Sequence, residues 1–374
     1  MRVLQIVESL DNRAVESWLL RTFRKATVEY PNFEWTFFCV LPTPGEFDSL
    51  VRQAGGQVIH SRYPIHKKIT FLRSLRRVMR EGAYDIVHCH HDILSGAYIL
   101  ASLGLPFRRR IVHLHNTAVA LPTPSRLKKF LYHYPMRQLC LLAADRVVGI
   151  SNEALESITG AKRKVDRDVV VNYGVDTEPF AADNADCSAI RLELGISPTS
   201  KMLLFIGRMV EYKNPLFVLD VLRCLQATHP EFVAVFVGKG PLESEVKRIA
   251  KAENVSEKVR VLGFRTDVPA LMHAADVCIW PSLESPKEGL GLGVVEAQAA
   301  ALPILISRSV PREAIVITDL VRVLPLAAGA EKWAAELYQL SVATRPSKAE
   351  ALARIESSSF SMAAGVANIM ALYQ

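Results

Sequence analysis

The stretch Pro281-Ser282-Leu283-Glu284-Ser285-Pro286-Lys287-Glu288-Gly289-Leu290-Gly291-Leu292-Gly293-Val294-Val295-Glu296-Ala297 decides the reading of this chain. The apolar run Val277 to Trp280 ahead of it predicts a strand, and the Ala-rich residues after it predict a helix, so a glycine-rich turn joins the two. Backbone N–H groups left over at a helix start attract phosphate, and the turn Gly289-Leu290-Gly291 lets an anion come close to the main chain. Glu288 stands before the turn and Glu296 eight residues later inside the helix, so both can face the C-terminal edge of a parallel sheet. Carboxylates beside a phosphate repel it unless they have other work, and binding sugar or ribose hydroxyls supplies that work. The segment reads as a nucleotide-sugar site. The alternative is a surface turn with one solvated Glu and one ordinary helix Glu.

A second segment upstream has the same layout. A strand from Met202 to Ile206 ends in Gly207-Arg208-Met209-Val210-Glu211-Tyr212-Lys213-Asn214-Pro215, after which a helical pattern begins at Leu216. Arg208 offers a planar fork and Lys213 a point charge, a pair suited to a diphosphate. Asn214-Pro215 suits the start of a helix. Either cation taken alone could equally be solvated.

The order of these and neighbouring motifs resembles a known family. Gly207-Arg208 with Lys213-Asn214, Val237-Gly238-Lys239-Gly240-Pro241-Leu242, Val261-Leu262-Gly263-Phe264 with Asp267-Val268-Pro269, and Pro281-Ser282 with Glu288-Gly289-Leu290-Gly291 and Glu296-Ala297 follow one another as in retaining glycosyltransferases of family 4. Glu16 to Leu19 and Thr318-Asp319-Leu320 resemble the exopolysaccharide and capsule biosynthesis group within it. The resemblance covers nearly the whole chain and is strong from Met202 to Pro303. It implies an α/β, GT-B fold with two Rossmann-like domains facing across a cleft and a C-terminal helix crossing back to the first. The corresponding divisions are an acceptor-side domain at 1–178, a nucleotide-sugar domain at 179–355 and a crossover helix at 356–374.

The resemblance also implies roles. Arg208 and Lys213 would neutralise the departing diphosphate with help from N–H groups at Gly289, Leu290 and Gly291. Glu288 would orient the donor sugar, Glu296 would hold the ribose, and Phe264 and Arg265 would lie along the base. His115, and with it Asn116, would sit beside the donor's sugar and phosphate. The donor would be a UDP- or GDP-linked sugar and the acceptor lipid-linked or a polysaccharide, with no metal and no cofactor. Two other classes remain open: a GT-B nucleotide-sugar epimerase or hydrolase, and a non-catalytic sugar-nucleotide binding protein.

Three departures accompany the resemblance. The usual Gly-Gly after the opening strand is Asp11-Asn12-Arg13-Ala14 here, so Arg13 would replace main-chain contacts with a side chain. The usual Pro-Asn-Gly-Val-Asp appears as Asn172-Tyr173-Gly174-Val175-Asp176, which shifts or removes the cleft-facing Asn. The insertion Glu284 to Lys287 leaves a choice of glutamates, and Glu288 alone fits the eight-residue spacing.

Composition fits a two-domain enzyme. The chain has 374 residues and six cysteines, Cys39, Cys89, Cys140, Cys187, Cys224 and Cys278, never closely paired, which suggests buried thiols in a reducing compartment. No leader pattern follows Met1-Arg2, and no apolar run reaches the roughly 18 to 20 residues a membrane span needs. A cytoplasmic protein, peripheral on the inner face of the membrane, is expected.

Residues 1–178 carry 25 Lys+Arg against 17 Asp+Glu, a balance of +8, while the remainder is at −1. The cations collect in His66-Lys67-Lys68, Arg73 to Arg80, Arg108-Arg109-Arg110 and Arg126-Leu127-Lys128-Lys129. With Phe71, Leu72, Leu75, Val78 and Met79 interleaved, Arg73 to Arg80 predicts a basic amphipathic helix that either rests on anionic lipid or forms a solvated cover over the sheet. No recognition motif accompanies the charge, so nucleic acid is not expected. Two strands end in histidines, Val87-His88-Cys89-His90-His91-Asp92 and Val112-His113-Leu114-His115-Asn116. His88 and His90 are read as core or cleft-rim residues, with metal the lesser alternative for the cluster.

Overall fold

The computed structural model describes residues 1–117, 127, 129–160, 163–181 and 187–374. Arg126 and Lys128 of the fourth basic cluster lie outside them.

Strands and helices alternate along the chain, and every strand pair is parallel. Two compact units result, Met1–Gly174 with Met362–Gln374, and Val175–Ser361. The first holds a seven-stranded sheet of β1 (Arg2–Val7), β2 (Glu34–Cys39), β3 (Gln57–His60), β4 (Ile86–Cys89), β5 (Arg109–Leu114), β6 (Arg146–Gly149) and β7 (Asp168–Val170), in the order β3-β2-β1-β4-β5-β6-β7. The second holds β8 (Lys201–Ile206), β9 (Phe232–Val237), β10 (Val259–Gly263), β11 (Val277–Trp280), β12 (Ile304–Ile306) and β13 (Val321–Val323), in the order β10-β9-β8-β11-β12-β13. Each order reverses direction once, at β1/β4 and at β8/β11. Such reversal points, at the carboxyl ends of the strands, open the crevice in which doubly wound sheets bind ligands.

The strands read as unbroken apolar runs because helices cover both faces of each sheet. Phe232 to Val237 is buried at every position, as are Val277 to Trp280. The final helix, Met362–Tyr373, belongs to the first unit. It packs on the helix Ala14–Glu29, and Gly365 lets its backbone approach Gly174, where an added Cβ would stand 3.0 Å from the Gly174 nitrogen.

The basic helix spans Lys68–Glu81. Its apolar stripe is not free for lipid: Phe71, Leu75 and Met79 are buried in the first unit's core, with Leu72 and Val78 packed against it. Arg73, Arg77 and Arg80 lie exposed, at the helical spacing that puts side chains on one face. Arg76 instead clips the end of a neighbouring helix, donating to the carbonyls of Ala101 and Leu103 at 2.7 Å each. Among the described residues no helix is long and apolar enough to cross a membrane.

Candidate functional site

In the second unit Arg208, Lys213 and Glu288 lie in the loops that follow β8 and β11, the two strands between which the sheet order reverses. Lys213 and Glu288 meet there, Nζ to Oε1, at 2.6 Å, with side chains 11% and 7% exposed. The Trp280 indole N–H donates to the same Oε1 at 3.2 Å, and the Ser282 hydroxyl donates to it through a short bond. The Lys213 ammonium also lies 4.4 Å from the Trp280 ring centre. A buried carboxylate needs such company, because an unpaired charge away from water is costly. The Glu288 backbone is anchored too, its N–H reaching the Ser309 hydroxyl at 3.0 Å. Glu284 points elsewhere, accepting the Leu326 N–H at 3.3 Å.

Arg208 is exposed and donates to the Tyr212 hydroxyl at 2.8 Å, with its guanidinium 5.5 Å from the ring centre. Lys213 sits 5.4 Å from the same ring, so Tyr212 separates the two cations. Tyr212, Trp280, Ser282 and Ser309 are absent from the sequence-level candidates. Tyr212 lies between Arg208 and Lys213 in the chain, and Trp280 and Ser282 immediately follow or end the predicted strand, which is the signal that could have found them.

Gly291, at φ +78°, precedes the helix Leu292–Ala299 that carries Glu296. An added Cβ at Gly293 would meet the Trp280 ring at 2.8 Å, so this helix start lies directly on the residue that holds Glu288. At the neighbouring strand ends Gly238, at φ +128°, lies so close to Gly207 that a Cβ would stand 2.0 Å from its carbonyl oxygen. The loops after β8 and β9 thus form one main-chain surface. Phe264, just beyond β10, is 55% exposed. Arg265 is committed to two carboxylates, Asp267 at 2.6 Å and Glu193 at 2.6 Å, and these hydrogen bonds raise its pKa further.

The first unit presents a different chemistry. His88 and His90 at the end of β4, and His113 and His115 at the end of β5, point to one face and form a buried cluster with Gln5 of β1, Trp18, Tyr173 and Tyr373. His115 Nε2 lies 3.1 Å from His90 Nδ1, and His115 Nδ1 makes a short bond with the Tyr173 hydroxyl. Burial holds all four imidazoles well below the ordinary histidine range, His90 at about 3, so they are neutral. Tyr173, the residue that departs from the family pattern, stacks on Trp18 with centroids 4.4 Å apart. Asn172 donates to the Ile150 carbonyl at 3.0 Å. Asn116 donates to Asp92 Oδ2 at 2.7 Å, and Asp92 Oδ1 accepts the His115 N–H at 2.7 Å. Arg13 is ion-paired with Glu8 at 2.7 Å and is 53% exposed.

Among the described residues two groups could ligate a metal by geometry, His88 with His90 and His113, and Cys39 with Asp48 and His60, each with ligand atoms within 4.8 Å. In the first, His88 Nε2 bonds to His113 Nδ1, while His88 Nδ1 and both His90 nitrogens are taken by Tyr373, His115 and Gln5. In the second His60 Nε2 is bonded to Asp48 at 2.6 Å, and burial pushes the Cys39 thiol up to about 12.

Comparison with known proteins agrees with this architecture. The profile described as Glycosyltransferase Family 4 matches residues 3–179, and that described as Glycosyl transferases group 1 matches residues 188–341. The Bacillus subtilis (strain 168) protein EpsF, which bears a provisional glycosyltransferase name, is 27% identical over 93% of this chain and 89% of its own. The Escherichia coli UDP-Gal:alpha-D-GlcNAc-diphosphoundecaprenol alpha-1,3-galactosyltransferase is 28% identical over 64% of this chain and 62% of its own. Among solved structures, Anabaena Alr3699/HepE with UDP superposes at a TM-score of 0.79 and 17% identity, covering 99% of each chain. The chain belongs to the family 4 glycosyltransferases of GT-B fold.

Proposed function

We propose that this glycosyltransferase is retaining and metal-independent, and that it moves a hexosyl group from a UDP- or GDP-linked donor to a lipid-linked or polysaccharide acceptor. The observation that carries the reading is the buried Lys213–Glu288 pair at the β8/β11 reversal point. Lys213 and Arg208 offset the charge that develops on the leaving diphosphate, together with N–H groups of Gly289, Leu290 and Gly291, which is electrostatic stabilisation of the transition state. Three donors already converge on Oε1 of Glu288, which leaves its other oxygen for the sugar hydroxyls. Glu296 takes the ribose, Phe264 flanks the base, and His115 and Asn116 act on the donor's sugar and phosphate. The acceptor hydroxyl attacks the anomeric carbon from the face the diphosphate leaves, and the leaving phosphate oxygen takes its proton. The lipid-linked substrate named for the E. coli relative supports a lipid-linked acceptor.

A surface for the membrane accompanies this reading. Arg73, Arg77 and Arg80 form an exposed basic stripe, and Lys68 of the same helix sits 4.0 Å from the ring centre of exposed Tyr132, which belongs to a segment that also exposes Phe130, Leu131 and Tyr134. Anionic lipid attracts the stripe, and the aromatic side chains suit the headgroup level.

Incubation with UDP-galactose or UDP-glucose and a polyprenyl-diphosphate-linked N-acetylhexosamine, in the presence of a chelator, tests the reading. An α-linked product is expected. A β-linked product, or loss of turnover with the chelator, overturns it. Free sugar alone favours the hydrolase or epimerase, and tight binding of every donor without turnover favours a non-catalytic role.

A further inference from the structure

The histidine cluster of the first unit is one continuous hydrogen-bonded chain that begins beyond the sheet, on the last helix of the protein. The Tyr373 hydroxyl accepts from Gln5 Nε2 at 2.7 Å, Gln5 Oε1 faces His90 Nε2 at 2.8 Å, and His90 Nδ1 faces His115 Nε2 at 3.1 Å. The same hydroxyl reaches His88 Nδ1 at 2.9 Å, and His88 Nε2 lies 3.2 Å from His113 Nδ1. All these residues are buried, from Gln5 at 0% to His90 at 7%.

Gln5 is the member whose two ends differ, an amide NH2 and a carbonyl, so it fixes the direction of every proton in the chain. Its carbonyl demands an N–H from His90 Nε2, which leaves His90 Nδ1 as an acceptor. That acceptor demands the proton on His115 Nε2, so His115 Nδ1 accepts from Tyr173. On the other branch Tyr373 has received the Gln5 proton, so its own O–H points to His88 Nδ1. His88 then carries its proton on Nε2 and gives it to His113 Nδ1. The chain ends at His113 Nε2, which has no hydrogen-bond partner. The His113 ring stands at 79° to Trp18 with centroids 5.5 Å apart. The polarity of both branches is thus set at Gln5.

We infer that Tyr373 is a positioning residue: through Gln5 and His90 it holds His115 in the Nε2–H tautomer and fixes its ring for the donor. This rests on the proposed role of His115. A neutral imidazole can turn or exchange tautomers when the group opposite one nitrogen changes, and orienting partners are what hold a site's geometry. The inference makes the C-terminal helix part of the reacting site as well as part of the fold.

The test is histidine ring 15N spectroscopy on the full ligand-free chain and on Tyr373→Phe, with the His115 signals assigned by their loss in His115→Asn. Wild type should show one His115 tautomer, protonated at Nε2. Tyr373→Phe keeps the ring, packed against Trp35 at 5.8 Å, and removes the hydroxyl that orients Gln5, so His115 should become a mixture of tautomers. With UDP-galactose or UDP-glucose, whichever turns over, kcat should fall about tenfold while donor KM stays within about twofold, the pattern of an interaction specific to the transition state. Gln5→Met should reproduce both changes. A His115 tautomer unchanged in Tyr373→Phe overturns the inference. Unchanged turnover in His115→Asn overturns the role of His115 itself and leaves the tautomer result to stand separately.

Discussion

Lys213 holds Glu288, 75 residues further along the chain, at 2.6 Å across the point where the sheet order of the second unit reverses. A carboxylate so placed has two effects. It keeps a buried ammonium compensated while no diphosphate is bound, and it competes with the diphosphate once one arrives.

Replacing Glu288 by Gln should therefore separate stability from binding. The buried cation loses its counter-charge, and breaking such a pair costs about 3–5 kcal/mol when one partner stays behind. UDP binding should be unchanged or tighter, because Lys213 is released to the phosphate. Turnover should fall roughly 10- to 1000-fold, as it does when a transition-state contact is removed. Thermal melting, UDP titration and single-donor kinetics on one variant check all three. Damage from Glu284→Gln with none from Glu288→Gln would reverse the assignment of the two glutamates.

The four buried imidazoles make the first unit sensitive to acid. The folded pKa values of His88, His90, His113 and His115 lie below the ordinary 6.5, with burial the main cause. The unfolded chain then binds more protons as pH falls, so the stabilisation is complete above about 6.5 and is lost as pH drops through that value toward the folded pKa values. Each group contributes a slope of about 1.4 kcal/mol per pH unit, or about 5 kcal/mol per unit for all four. Melting curves between pH 7.5 and 5 should show a steep loss of stability, reduced in a His88→Asn variant. Constant stability over that range would contradict the buried neutral cluster.

Membrane docking should follow the exposed arginine stripe and not the whole basic helix. Each Lys or Arg near an anionic surface contributes about 1 kcal/mol, and the attraction fades beyond roughly 8 Å at physiological salt. Replacing Arg73, Arg77 and Arg80 together by Gln should abolish sedimentation with anionic vesicles and leave UDP affinity unchanged. Arg76 is best left intact, because it holds the carbonyls of Ala101 and Leu103. Vesicle binding that survives the triple change would identify the stripe as solvated cover.

The strands at the site were legible because buried parallel strands are short apolar runs: Val277 to Trp280 is observed with the bounds its sequence suggests, and Met202 to Ile206 begins one residue earlier, at Lys201. β13 was not, since Val321-Arg322-Val323 is a short edge strand with a charged centre and an exposed end. The Phe71, Leu75 and Met79 stripe was visible as amphipathic, but only the fold shows that it faces the sheet instead of lipid. The site was legible where glycine spacing and charge lie close together in the chain, as at Glu288 to Gly291. Its supporting contacts were not. Ser309 acquires meaning through Glu288, 21 positions away, and the link from Gln5 to Tyr373 joins residues 368 positions apart.

Titration of UDP and GDP into the wild-type chain, Arg208→Ala and Lys213→Ala tests the account at its centre. Charge-assisted hydrogen bonds are worth about 1.5–3 kcal/mol, so either variant should bind the preferred diphosphate at least about tenfold more weakly than wild type. Equal affinity in wild type and both variants, or no affinity of the wild-type chain for either diphosphate, would contradict a diphosphate site built on these two cations.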